Sequence, residues 1–223
     1  MSIDLEVVAD EKAAARRGAE LIAAAGRKAV EQRGMFSLAM SGGRTPWAML
    51  AILGDMEEMP WAETELFQVD ERIASPGSEE RNLTHMVLGL SMDHQAALRP
   101  MPVTSRDLDA AAREYESSLP ERLDCVHLGL GADGHTASLI PGDPVLEVTD
   151  RRVAVTEHAY EGHRRMTLTY PALNGARGIL WLVTGAEKRD ALAKLLAGDR
   201  SIPAGRVEND EMVVVADEAA AGS

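Results

Sequence analysis

Short apolar runs, each followed by a glycine or a polar cluster and then by a stretch rich in Ala, Glu and Arg, set the rhythm of this chain. Ile3 to Val8 reads as a strand, and Asp10 caps a helical stretch that runs to Gly34. Phe36 to Met40 is a second strand. It ends at Ser41-Gly42-Gly43-Arg44-Thr45-Pro46, after which Trp47 to Leu53 is helical, with Pro46 in the first turn and Thr45 as cap. Leu66 to Val69 is a strand that runs into Asp70-Glu71-Arg72. A loop from Ile73 to Arg81 precedes a helix from Asn82 to Leu90, and Asp107 opens a helix reaching Leu119. Cys125 to Leu128 is a buried strand that opens onto Gly129-Leu130-Gly131-Ala132-Asp133-Gly134-His135. Beyond Gly142 come two β-like runs, Val153 to Thr156 and Met166 to Thr169. Gly178 to Val183, a helix from Glu187 to Leu196 and a last strand, Met212 to Val215, complete the order.

Strands alternating with helices predict an α/β fold with a mainly parallel sheet and helices on both faces. In such sheets ligands bind at the carboxyl ends of the strands. The polar clusters at 41–46, 70–72, 129–135 and 185–188 all follow strands, so they are expected to converge on one edge. The length, 223 residues, predicts a single domain, 1–223. Twenty-three Lys and Arg against 36 Asp and Glu give a net charge of -13 with no basic stripe, which argues against a nucleic-acid partner. No apolar run reaches the roughly 18 to 20 residues that cross a bilayer, and the N-terminus has no secretory leader, so no membrane partner is expected and the cytoplasm is the expected compartment. The single Cys125, inside an apolar strand, reads as packing. His85, His94, His127, His158 and His163 lack metal-ligand spacing, so no metal site is expected from them.

Three clusters carry candidate chemistry. Ser41 to Pro46 lies between strand and helix, where Gly42 and Gly43 let backbone N–H groups approach an anion, with Arg44, Ser41 and Thr45 adding donors. Its plainer reading is a tight turn with an ordinary cap. Gly129 to Gly134 matches G-x-G-x-x-G, but it lies mid-chain and places Asp133 where a pyrophosphate would sit, against a dinucleotide. The informative feature is Asp133-Gly134-His135: an aspartate beside a histidine fixes its tautomer and raises its basicity, unless the pair is only a helix cap beside a surface imidazole. Asp70-Glu71-Arg72 is either a solvated loop or a site in which Arg72 meets an anion and a carboxylate holds the arginine or binds sugar hydroxyls. Arg164-Arg165 and Lys188 are surface charge unless they face the same edge.

Taken together, these segments resemble the 6-phosphogluconolactonase family across nearly the whole chain. The carrying pieces are 41–46, 70–72, 129–142, Arg165-Met166-Thr167-Leu168-Thr169 and Thr184-Gly185 with Lys188. The resemblance implies a Rossmann-like three-layer sandwich shared with glucosamine-6-phosphate deaminases and ribose-5-phosphate isomerases. It implies hydrolysis of 6-phospho-D-glucono-1,5-lactone to 6-phosphogluconate in the oxidative pentose phosphate pathway, without metal or organic cofactor, by a monomer or weak homodimer. It assigns proton transfer to His135 with Asp133, and substrate binding to Ser41, Gly42, Gly43, Arg44, Thr45, Asp70, Arg72, Arg165 and Lys188. Arg44, Arg72, Arg165 and Lys188 would have to dominate the charge at the mouth. The chain departs from the family pattern at Arg81, where a serine is expected, at Ile140, where an aromatic is expected, and from Tyr160 to Arg164, which replaces a proline-rich approach. The first two departures are expected to alter the pocket wall. A related deaminase or isomerase is the rival enzyme, disfavoured because Ala137, Ser138, Leu139 and Ile140 follow His135 without a further acid. A non-catalytic sugar-phosphate sensor is the other alternative, disfavoured because the chain shows no DNA-binding extension.

Overall fold

The computed structural model describes residues 3–95 and 97–222. In chain order they form β1 (Ile3–Val8), α1 (Glu11–Arg33), β2 (Phe36–Met40), α2 (Arg44–Gly54), β3 (Thr64–Gln68), β4 (Asp70–Arg72), α3 (Asn82–Gly89), α4 (Met92–Gln95), β5 (Leu98–Arg99) and α5 (Leu108–Ser118). There follow β6 (Cys125–Gly129), β7 (Val153–Val155), β8 (Arg165–Leu168), α6 (Tyr170–Asn174), β9 (Ile179–Val183), α7 (Arg189–Leu196), β10 (Met212–Asp217) and α8 (Glu218–Ala221). No described helix is long and apolar enough to cross a membrane.

Local chemistry accounts for the boundaries. Asp10 accepts the Ala13 N–H at 2.8 Å to open α1, and Gly34 closes it in a left-handed conformation, φ 78°. The buried stripe of α1 is made of small residues, Ala14, Ala15, Gly18, Ala19 and Ala23 around Ile22, so the helix lies close against the sheet. α5 opens on Asp107, whose carboxylate accepts the Ala110 N–H at 2.9 Å.

The main sheet has the order β1-β10-β9-β6-β2-β3-β5, and every neighbouring pair is parallel. Successive residues of β9 serve opposite faces. Leu180 and Leu182 join the core beneath α1 and α2, whereas Ile179, Trp181 and Val183 join the core shared with α5, α6 and α7. The chain runs outward from β2 to β3 and β5, then returns to place β6 on the other side of β2. The crevice between the carboxyl ends of β2 and β6 is therefore a topological switch point, where open α/β sheets bind ligands.

The β-like runs at 153–156 and 166–169 do not join this sheet. β7 and β8 pair antiparallel with each other, and β8 pairs with β4, so that Arg72 lies opposite Arg165. This small sheet stands beside the carboxyl edge of the large one. β6 also buries His127 completely: neither ring nitrogen has a hydrogen-bond partner, and burial pushes the imidazole down to about 3. Cys125, two residues earlier, is buried too, and burial followed by the nearby Asp124 charge pushes its thiol up to about 12, which makes it packing.

Candidate active site

The four polar clusters meet in one cleft of about 720 Å³ at the carboxyl edge of the sheet, as their positions after β2, β3, β6 and β9 require. All the residues singled out for substrate binding line it, and so does His135. Asp133 supports His135 from behind.

The loop after β6 is bent into a fixed turn. Gly131 donates to the His135 carbonyl at 2.8 Å and Gly134 donates to the Gly131 carbonyl at 2.9 Å, while Ala204 donates to Gly134 from outside. Gly131 has to be glycine, because a Cβ there would overlap the His135 imidazole and lie 2.6 Å from the Asp133 carboxylate. Asp133 Oδ1 takes the His135 backbone N–H at 3.1 Å and sits 2.6 Å from Nδ1. Burial alone would raise the Asp133 carboxyl, but the His135 backbone bond, imidazole charge and side-chain bond outweigh it and hold the group below its ordinary range. A charged Asp133 keeps the proton on Nδ1, which leaves Nε2 with the lone pair. Tyr160 adds an edge contact to the imidazole, with centroids 5.2 Å apart, and its hydroxyl donates to Asp133 Oδ2 at 3.4 Å.

The cluster after β3 works differently from its sequence reading. Asp70 does not hold Arg72: its carboxylate accepts the Ser138 hydroxyl at 2.6 Å and the Asn82 amide at 3.2 Å, which ties the loop after β6 to α3. Arg72 donates instead to Asn82 Oδ1 and the Glu80 carbonyl, both at 3.1 Å. The structural carboxylate is Glu71. It is fully buried and accepts from the backbone N–H groups of Arg72, Asn82 and Leu83 and from the Gln68 amide, all within 2.8–2.9 Å. A strand residue thus caps α3, and Asn82, carried at the head of that helix, becomes the hub between Asp70 and Arg72.

Around the glycine loop, α2 begins at Arg44 with Gly43 as its cap residue, so Thr45 is not the cap. Its hydroxyl donates to Glu11 at 2.7 Å and contacts Thr184 at 2.9 Å, joining α1, α2 and the loop after β9. Ser41 donates its hydroxyl to the His127 carbonyl at 3.1 Å, so its proton is used within the sheet. Gly42 meets the Asn82 side chain, where a Cβ would collide with it and with Trp47. Arg44 is largely exposed and pairs with Glu11 at 3.2 Å. The first N–H groups of α2, which no helix can satisfy internally, face this wall of the cleft, an arrangement suited to an anion.

On the facing wall, Arg165 is buried, donates to the Tyr160 carbonyl at 3.0 Å and has no partner for its Nε. Arg164 is no part of the site, since its Nε donates to the Thr156 carbonyl. Lys188 follows Gly185, whose N–H is anchored on Asp217 at 3.0 Å, and Lys188 has no ion-pair partner among the described residues. Positive charge does not dominate the mouth. Arg44, Arg72, Arg165 and Lys188 are matched by Asp70, Glu79, Glu80, Glu161 and Glu187, so the lining carries no net positive charge.

Residues 9–215 match the family model described as glucosamine-6-phosphate isomerases/6-phosphogluconolactonase. The chain belongs to that family. A 6-phosphogluconolactonase of Synechocystis sp. is 36% identical over 183 residues, covering 76% of this chain and 75% of its own. The crystal structure of the Thermotoga maritima 6-phosphogluconolactonase superposes with a TM-score of 0.86 at 26% identity, covering 97% of this chain and 99% of that one. A monomeric glucosamine-6-phosphate deaminase superposes at 0.82 with 19% identity, covering 98% and 99%, which shows a shared fold. The fold is thus of the Rossmann-like deaminase type.

The departures from the family pattern fall in place physically. Arg81 is buried against Glu71 at 3.5 Å, and because Glu71 supplies the cap, a serine before Asn82 is not needed. Neither Arg81 nor Ile140 lines the cleft, contrary to the expectation that both shape its wall. The Tyr160–Arg164 segment does reach the site, through Tyr160 and Glu161. Those two residues and Asn82 carry no motif signal, and only the pairing of β4 with β8 brings them in.

Proposed function

We propose that this protein hydrolyses 6-phospho-D-glucono-1,5-lactone to 6-phospho-D-gluconate, the second step of the oxidative pentose phosphate pathway, in the cytoplasm. The observation that carries the reading is the Asp133–His135 pair, 2.6 Å apart, set in the same cleft as Arg72, Arg165 and Lys188. His135 Nε2 takes a proton from water, the resulting hydroxide adds to the lactone carbonyl, and backbone N–H groups meet the developing oxyanion. The tetrahedral adduct then collapses with cleavage of the ring C–O bond, and the imidazolium returns its proton to the leaving hydroxyl. The phosphate lies against the α2 N-terminus, Arg72, Arg165 and Lys188. Asp70 and Asn82 face the sugar hydroxyls.

The test follows loss of freshly generated lactone by coupling to 6-phosphogluconate dehydrogenase, with wild type, His135→Ala and no enzyme side by side. The expected outcome is acceleration by wild type and a fall of about 10²–10⁴ in kcat for the variant. Equal acceleration by both would discard His135 as the base. No acceleration by wild type, with ammonia released from glucosamine 6-phosphate, would replace the lactonase reading with a deaminase.

A further inference from the structure

We propose that Glu161 is a built-in counter-anion of the phosphate site, and that the substrate's phosphate binds by displacing it. The inference rests on the reading of Arg72 and Arg165 as phosphate ligands. The Glu161 carboxylate lies 3.2 Å from Arg165 Nη2 and 3.7 Å from Arg72 Nη2, through the same oxygen, Oε2. It joins the two guanidiniums as one oxygen of a phosphate would.

Three further observations make this carboxylate the movable member of the group. Its side chain is 64% exposed, against 6% for Arg165 and 27% for Arg72. Each arginine also has anchors that do not involve Glu161: Arg72 holds the Glu80 carbonyl and Asn82, while Arg165 holds the Tyr160 carbonyl and lies 5.3 Å over the Tyr160 ring. Arg165 Nε has no partner, so the buried guanidinium keeps donor capacity beyond what Glu161 uses. The backbone adds a fourth. Glu161 sits at φ 50°, in the left-handed region that a branched or long side chain enters at a cost, inside a turn closed by mutual Tyr160–His163 backbone bonds. That turn aims the carboxylate at the arginines.

The chemistry sets the direction of the effect. A phosphate dianion carries more charge and more acceptor oxygens than a carboxylate, so it wins the pair of guanidiniums once both compete for them. Part of its binding energy is spent on separating Glu161 from them. Glu161 therefore weakens affinity for the phosphorylated lactone, and its influence ends where the phosphate is absent.

The experiment compares wild type with Glu161→Gln, and with Glu161→Gly, which also relieves the left-handed backbone. KM is measured for 6-phosphogluconolactone and for unphosphorylated glucono-1,5-lactone, with inorganic phosphate as competitive inhibitor. Both variants are expected to lower the KM for the phosphorylated lactone and the Ki of phosphate together, by about 2- to 5-fold, the range of an exposed ion pair. The fall is confined to the phosphorylated compounds. Unchanged or raised values would overturn the proposal while leaving the phosphate site standing, since Glu161 would then only steady the arginines. If wild type binds both lactones equally and phosphate does not compete, Arg72 and Arg165 do not read phosphate, and the proposal falls with that reading.

Discussion

Replacing Asp133 by asparagine removes a charge from behind the imidazole while keeping the side chain's size. Because the His135 contacts hold the Asp133 carboxyl below its ordinary range, it stays ionised through the neutral region. The Asp133→Asn variant is expected to lose on the order of 10² or more in kcat with KM nearly unchanged, as measured by steady-state kinetics. A wild-type kcat would show that Asp133 does not orient the base. The pairing of Asp133 with His135 was legible from their spacing, whereas Arg165 and Lys188 read as surface charge by themselves and were brought to the edge only by the family resemblance. Asn82 and Glu161 were not. The first reads as an ordinary helix start, and the second owes its place to a backbone angle that no spacing rule encodes.

At the scale of elements, most strands of the large sheet could be read directly as short apolar runs bounded by glycine or polar clusters, most clearly β9, Ile-Leu-Trp-Leu-Val. Of the small sheet, the runs that form β7 and β8 were read as β-like, but β4, three charged residues, was not, and neither was the pairing that joins the three. Yet β4 supplies Glu71, the joint between the two sheets. Glu71→Ala removes the cap of α3 and leaves the buried Arg81 guanidinium without its carboxylate. We expect a loss of about 3 kcal/mol, read as a lower urea midpoint at unchanged m-value. KM should also rise, because Asn82 no longer holds Arg72. Wild-type stability would mean that water can replace Glu71.

For the whole molecule, acid sensitivity has a built-in source in His127. Its ordinary value is 6.5 and its folded value about 3, so between these limits the unfolded chain takes up a proton that the folded chain refuses. Stability from this residue is complete above pH 6.5 and drains away as pH falls toward 3, by about 2 kcal/mol at pH 5. Chemical denaturation at pH 5 and 7.5 should show that difference shrink by this amount in His127→Met, which fills similar space without a titratable group. A variant as acid-sensitive as wild type would exonerate His127. The sheet order bears on the making of the protein as well. β10 lies between β1 and β9, with Met212 opposite both Ile3 and Ile179. On the ribosome, β1 waits for every element between it and β10 before its neighbour emerges, and β9 shows a bare edge until then. Nascent chains stalled before β10 should therefore be the species that chaperones hold and proteases clear.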